Sequence, residues 1–200
     1  MSSEIQVTSD LWIRLQNGDA RAFTDLYRIH AQRVYNHCYR RTLSYPDSED
    51  LTAEVFAATW RKRTQIRLHD EAGGLPWLLM TANNLLHRRR ASLTSAAKLL
   101  SRLPVDHIVP DHGQMLADQA GIDHDMAVIA VVLKRLSRRD RDIVQLCVVE
   151  QIASTQLAAV TGEPAGTIRS RLSRALVKAR NEYDQLTAAN LSFEQLRNML

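Results

Sequence analysis

Thr167, Arg169, Ser170, Arg171, Arg174 and Lys178 place hydroxyls and cations at helical spacing around an apolar stripe of Ile168, Leu172, Ala175, Leu176 and Ala179. Guanidiniums pair bidentately with guanine edges, and serine or threonine hydroxyls contact bases or phosphates. Each good arginine–guanine pair gives roughly 1–3 kcal/mol of discrimination. The residues before this run supply a frame for it. Ser154 to Val160 can form a short helix, Thr161-Gly162-Glu163 a turn capped by Gly162, and Pro164 the start of the next helix. A short helix, a tight glycine turn and a longer helix with a polar, arginine-rich first half is the build of a major-groove reader. An ordinary basic amphipathic helix in a bundle has no need of that turn.

A second set lies at Asn83, Asn84, His87, Arg88, Arg89 and Arg90. Pro76 suits the first turn of their helix, with Trp77, Leu78, Thr81, Ala82 and Leu85 expected to face inward and the helix expected to finish at the arginines. Three arginines at a helix end complement its dipole. Amides one turn upstream, and aromatics before them, fit a nucleic-acid surface better, because amides read base edges and rings stack on unpaired bases. A third set is acidic. Asp47, Glu49, Asp50 and Glu54 crowd the first turns of a helix expected to open at Asp47, with Leu51, Val55, Phe56 and Trp60 as its apolar stripe. The dipole accounts for Asp47 and Asp50 but fades within a turn, so Glu49 and Glu54 point to an acidic docking face. The chain has no zinc-spaced Cys/His set, phosphate-binding glycine loop or nucleophile elbow. No metal, cofactor or catalytic residue is expected.

Elements must position these groups. Ser9 or Asp10 can cap a helix over LWIRLQN that ends at Gly18, and Asp19 can cap the next. Phe23, Leu26, Tyr27, His30, Val34 and Cys38 share one face of that second helix, which ends near Ser44-Tyr45-Pro46. Residues 64–74 read as a surface loop closing on a flexible glycine pair. Met126 to Leu136 is an apolar-rich helix, and Ser137-Arg138-Arg139-Asp140 has the S-x-x-D form of a helix start. Ser192 to Gln195 can cap a last short helix bearing Phe193, Leu196 and Leu200, packed back on the second domain or free to dock a regulator.

Composition agrees. Of 200 residues, 45% are apolar and only 7 are Gly and 5 Pro, which favours helices. The two cysteines, Cys38 and Cys147, cannot form a disulfide framework, and a reduced, cytoplasmic setting is expected. No apolar run approaches the roughly 20 residues of a membrane span, and MSSEIQVTSD lacks a signal pattern. The net charge of +4 divides into +3 over residues 1–95, −3 over 96–125 and +4 over 126–200. The expected architecture is all-α: two small helical domains, 1–95 and 126–184, joined by an acidic flexible linker at 96–125, with its Pro/Gly-marked centre at 104–123, and followed by a tail at 185–200. Two basic units on an acidic tether suit nucleic acid.

On LQNGDARAFTDLYRIHAQRVYN, PDSEDLTAEVFAATW, PWLLMTANNLLHRRR, LSRRDRDIVQL and EPAGTIRSRLSRALVKAR, in this order and spacing, the chain resembles a bacterial RNA polymerase sigma factor of the extracytoplasmic-function group. The resemblance covers about residues 10–183. It implies a protein of the cytoplasm and nucleoid that brings polymerase core to promoter DNA, without membrane insertion and commonly under an anti-sigma factor. It implies that Asp47, Glu49, Asp50, Glu54 and Phe56 lie at the core-docking helix. Asn83, Asn84, His87, Arg88, Arg89 and Arg90, with the 64–74 loop, then serve the minus-ten element. Thr167, Arg169, Ser170, Arg171 and Arg174 serve the minus-thirty-five element. The sequence departs from the family pattern at Ala53, where Gln is usual, at Asn83, where a basic residue is common, and at His87, where Asp is common. The 20-residue centre of the linker, 104–123, spans roughly 25 Å if coiled and at most about 66 Å extended, against on the order of 70 Å between the two elements. A free-standing helix-turn-helix regulator is the alternative, but it has no need of the acidic PDSEDLTAEVF helix.

Overall fold

Apolar spacing and two local stops set the first elements. The computed structural model describes residues 10–42, 44–66, 74–100, 124–189, 192–197 and 199, which are helical between short turns with no strand among them. Helix α1 (residues 10–16) buries Leu11, Trp12 and Leu15. It stops at Gly18, whose φ of 84° is the left-handed conformation that glycine takes without a Cβ clash. Asp19 then caps α2 (Ala20–Thr42): its Oδ1 accepts from the backbone N–H of Arg21 at 2.8 Å and of Ala22 at 3.3 Å. Its Oδ2 accepts from Arg14 at 2.7 Å, and that bond is the main cause holding the Asp19 carboxyl below its ordinary range.

Helices α2, α3 (Tyr45–Lys62) and α4 (Leu75–Leu100) pack pairwise as a three-helix bundle. Leu26, Val34 and Cys38 meet Leu51, Val55, Phe56, Leu78, Leu79, Ala82 and Leu86 in its core. Each buried leucine stabilises by about 1.5–3 kcal/mol. Burial pushes the Cys38 thiol up to about 11, so it is a packed group rather than a nucleophile. Gly74 lies under Trp12: a Cβ there would stand 1.9 Å from the indole, so this glycine is required by a close approach rather than by flexibility.

The structure corrects several expectations in this bundle. Helix α3 opens at Tyr45, not Asp47, because Ser44 takes the N-cap and its hydroxyl accepts from the Asp47 N–H at 3.3 Å. Helix α4 runs on to Leu100, so Arg88, Arg89 and Arg90 sit well inside it and the dipole cannot explain them. The inward stripe of α4 is Leu75, Leu78, Leu79, Ala82, Asn83 and Leu86, whereas Trp77, Thr81 and Leu85 are only half-buried. The two sides of the expected linker, 96–100 and 124–125, are helical. Its centre at 104–123, the 67–73 loop and the Ser9 cap lie outside the described residues.

A second compact unit is built mainly on the later helices. Helix α5 (His124–Arg135) ends where Arg141 donates to the carbonyls of Leu133 and Lys134, both at 2.6 Å, satisfying acceptors left open at a helix end. Ser137 caps α6 (Arg138–Val144), its hydroxyl accepting from the Asp140 N–H at 3.2 Å. A side-chain hydrogen bond with the Ser137 hydroxyl, with Lys178 adding to it, lowers the Asp140 carboxyl. The chain then passes through one π-helical turn, Gln145–Val149, in which the Glu150 N–H reaches back to Gln145 O at 3.0 Å. Helix α7 (Ser154–Thr161) ends at Gly162, with φ 74°. Pro164 precedes α8 (Ala165–Ala188), which absorbs residues 185–188 of the expected tail. On α8 the burial of Ile168 and Ala175 follows expectation, but Leu176 is exposed. Ser192 and Gln195 form reciprocal cap bonds of 2.8 and 3.3 Å at α9 (Phe193–Arg197). Leu196 is buried against Val128, Val131, Val132 and Leu186, so the tail packs back on its own unit.

Candidate nucleic-acid interface

The acids of α3 are presented by what that helix buries. Ser48, Leu51, Thr52, Val55, Phe56 and Thr59 face the bundle, and the hydroxyls of Thr52 and Thr59 are satisfied one turn back at Ser48 O (2.7 Å) and Val55 O (2.8 Å). Glu49, Asp50, Ala53 and Glu54 are thereby left exposed together. Phe56 does not join them: it is 2% exposed, with its ring 4.7 Å from Tyr27 and 6.4 Å from Phe23. This burial fits the expected apolar stripe of α3, and the expectation of Phe56 among the core-docking contacts is corrected to support of that helix from beneath. Asp47 is half-buried and pairs with Arg89 of α4.

On α4 the expected set splits. Asn84, Arg88 and Arg90 are exposed, and Arg89 and His87 are half-buried. Asn83 is 2% exposed. Its Oδ1 accepts from Arg41 Nη1 at 3.2 Å and lies 2.8 Å from His37 Nε2, which therefore carries the proton. Asn83 thus ties α4 to α2, and its expected place on a DNA-facing surface is corrected. The reason is the one-residue shift of the buried stripe, which turns position 83 inward.

In the second unit, Thr167, Arg169, Ser170 and Arg174 are exposed along the first turns of α8. Arg174 Nε donates to Ser170 O at 3.3 Å. Arg171 is held apart from them: its Nη1 lies 2.9 Å from Glu163 in the turn. Lys178 pairs with Asp140 at 3.3 Å, fastening α6 to α8. The π-turn and the Asn83 network were missed in the sequence. Neither has a local signature, although an asparagine on an apolar stripe with a histidine on the facing helix could have suggested the second. Among the described residues, no group of three or more His, Cys, Asp or Glu could hold a metal, and no helix is long and apolar enough to cross a membrane.

Residues 26–95 match the family model Sigma-70 region 2, and residues 127–178 match Sigma-70, region 4. The chain is 28% identical to the ECF RNA polymerase sigma factor SigE of Mycolicibacterium smegmatis, over 80% of this chain and 61% of that one. It is 31% identical to the probable RNA polymerase sigma factor RfaY of Xanthomonas campestris, over 68% of this chain and 34% of that one. It is 21% identical to the ECF RNA polymerase sigma factor SigW of Bacillus subtilis, over 86% and 95%. The chain therefore spans less than two thirds of the first two relatives. In fold it is similar to the sigma factor RpoE solved with the anti-sigma factor NepR from Bartonella quintana, at TM-score 0.58 and 17% identity, over 82% of this chain and 98% of that one. It is also similar to CnrH solved with the cytosolic domain of CnrY, at TM-score 0.56 and 18% identity, over 90% and 97%. With the two regions matched in order and together covering more than half of its length, the chain belongs to the sigma-70 family, as a sigma factor of the extracytoplasmic-function group.

Proposed function

We propose that this chain joins RNA polymerase core and directs it to promoters. Glu49, Asp50 and Glu54 of α3 dock on the core, with Asp47 held back by Arg89 and Phe56 supporting the helix from beneath. Asn84, Arg88, Arg89 and Arg90 of α4, with His87, serve the minus-ten element, and Asn83 positions that helix. Thr167, Arg169, Ser170, Arg171 and Arg174 of α8 read the minus-thirty-five element in the major groove, from the 126–184 domain. The observation that carries the reading is the pairing in one chain of an outward acidic helix with two outward basic ones. Each arginine on a phosphate releases counterions, so promoter affinity must fall with salt. Two weak readers on one tether gain avidity only when both sites are spanned. Polymerase performs the covalent chemistry, in the cytoplasm at the nucleoid, and this chain is assigned no catalytic step.

The two structural neighbours were solved with a second protein, in one case an anti-sigma factor. An anti-sigma partner covering α3 and α8 fits the same exposed charged faces here. A free-standing regulator leaves the region 2 match without a role. The deciding experiment is in vitro transcription with core polymerase on a genomic library, with start sites mapped. Start sites clustered downstream of one shared pair of elements support the reading. Tight operator binding by the chain alone, with no transcription when core is added, refutes it.

A further inference from the structure

The turn between α2 and α3 gathers groups that belong to none of the contact sets above. Tyr35 and Tyr39 stack with ring centroids 6.2 Å apart and planes 10° apart. Tyr39 continues to Tyr45 at 4.9 Å and 32°. The ladder opens outward, from half-buried Tyr35 and Tyr39 to Tyr45 at 60% exposure. Arginines of α4 converge on the same turn. Arg90 Nη2 donates to Arg41 O at the end of α2, at 3.1 Å. Arg89 pairs with Asp47, in the first turn of the helix that Tyr45 opens. Arg40 and Arg41 directly follow Tyr39.

The outer end of the ladder therefore lies at a turn that Arg89 and Arg90 reach from α4 and that Arg40 and Arg41 adjoin in sequence, and Asp47 is already engaged. Glu49 acts on Tyr35, at the inner end. The Tyr45 and Tyr35 phenols remain neutral: the hydrogen bond with Tyr39 raises Tyr45, and burial raises Tyr35. No phenolate opposes a phosphate there.

Stacked rings beside guanidiniums suit an unpaired nucleic-acid strand, whose bases offer free faces and whose backbone offers charge. A duplex keeps its base faces stacked inside. A basic partner helix would meet like charge at the four arginines. We propose that the α2–α3 turn is a platform for unpaired DNA, with Tyr45, backed by Tyr39, stacking on a base while Arg40 and Arg90 hold the phosphates. The proposal rests on the reading of the chain as a factor that directs polymerase to promoters, and adds α2 and α3 to minus-ten contacts assigned above to α4.

The test uses holoenzyme, assembled from the full chain and core polymerase, on a bubble template and on the matching duplex. Both are built on a promoter returned by start-site mapping. Tyr45→Ala is expected to lower bubble affinity about five- to tenfold, the loss of one stacked base. Duplex affinity and core affinity stay unchanged, and Tyr45→Phe keeps bubble affinity because the ring remains. Arg88→Ala serves as the control for α4. Loss with Arg88→Ala but not with Tyr45→Ala refutes the platform and leaves the role of α4 standing. No loss with either refutes both. Lost core affinity in Tyr45→Ala makes the turn a polymerase contact and overturns the proposal, as does equal loss on duplex and bubble.

Discussion

The carboxylate of Asp47 and the guanidinium of Arg89 meet at 2.5 Å, joining an acid of the proposed docking helix to an arginine of the proposed minus-ten helix 42 residues away. The pair is partly exposed, so screening limits its worth to about 0.5–1 kcal/mol. Asp47→Asn and Arg89→Gln should each lower stability by about that much, and the double variant by no more than either. Urea denaturation across the four-protein cycle measures the coupling. Strict additivity rejects the pair as an interaction in solution.

Asn83 is expected to matter for stability. Asn83→Leu removes the acceptor shared by buried His37 and half-buried Arg41, and with it the polar tie between α2 and α4. The cost is about 1–3 kcal/mol, read as a lower Tm. Because the side chain is buried, the mapped promoter sequences should not change. A switched minus-ten preference at unchanged Tm contradicts the placement.

Gly74→Ala should destabilise more than its size suggests, because the new Cβ overlaps the Trp12 indole. Overpacking of this kind costs about 1–3 kcal/mol. Trp12→Leu opens space, so the double variant Trp12→Leu/Gly74→Ala should be more stable than the sum of the two single losses allows. Calorimetry of the three variants decides it.

Glu163 restrains Arg171 by an ion pair at 2.9 Å. Glu163→Gln should release the guanidinium and remove a negative charge from the turn before the proposed minus-thirty-five helix. Holoenzyme affinity for the minus-thirty-five element should rise about two- to fivefold, with a steeper dependence on salt. Among the described residues Arg169 is in no such ion pair, so Arg169→Ala should only weaken binding. Filter binding over a salt series separates the two effects.

His30 titrates far below its ordinary range, since burial, with Arg33 adding to it, pushes it down to about 4. The unfolded value is about 6.5. Between these values the unfolded chain binds more protons, so stability should fall as pH drops through about 6.5 and level off near about 4. The full effect is at most about 3 kcal/mol. Urea midpoints from pH 7.5 to 4.5 should slope less in His30→Gln than in the parent chain.

What the sequence determined by itself was local. Gly18, Asp19, Ser137, Gly162 and the Ser192–Gln195 box were all legible because caps and stops act within a few residues of themselves. The order of helices and the outward face of α8 at Thr167, Arg169, Ser170 and Arg174 followed from periodicity. The inward stripe of α4 did not. Trp77, Thr81 and Leu85 repeat as regularly as Leu78, Ala82 and Leu86, and only the surfaces of α2 and α3 select between two such neighbouring stripes. That choice buried Asn83. The meetings of Asp47 with Arg89, Trp12 with Gly74, and Tyr45 with Tyr39 at an arginine-rich turn were likewise decided by the packed bundle. Each depends on how separate helices approach in space, and helical periodicity, which describes one element at a time, holds no term for that.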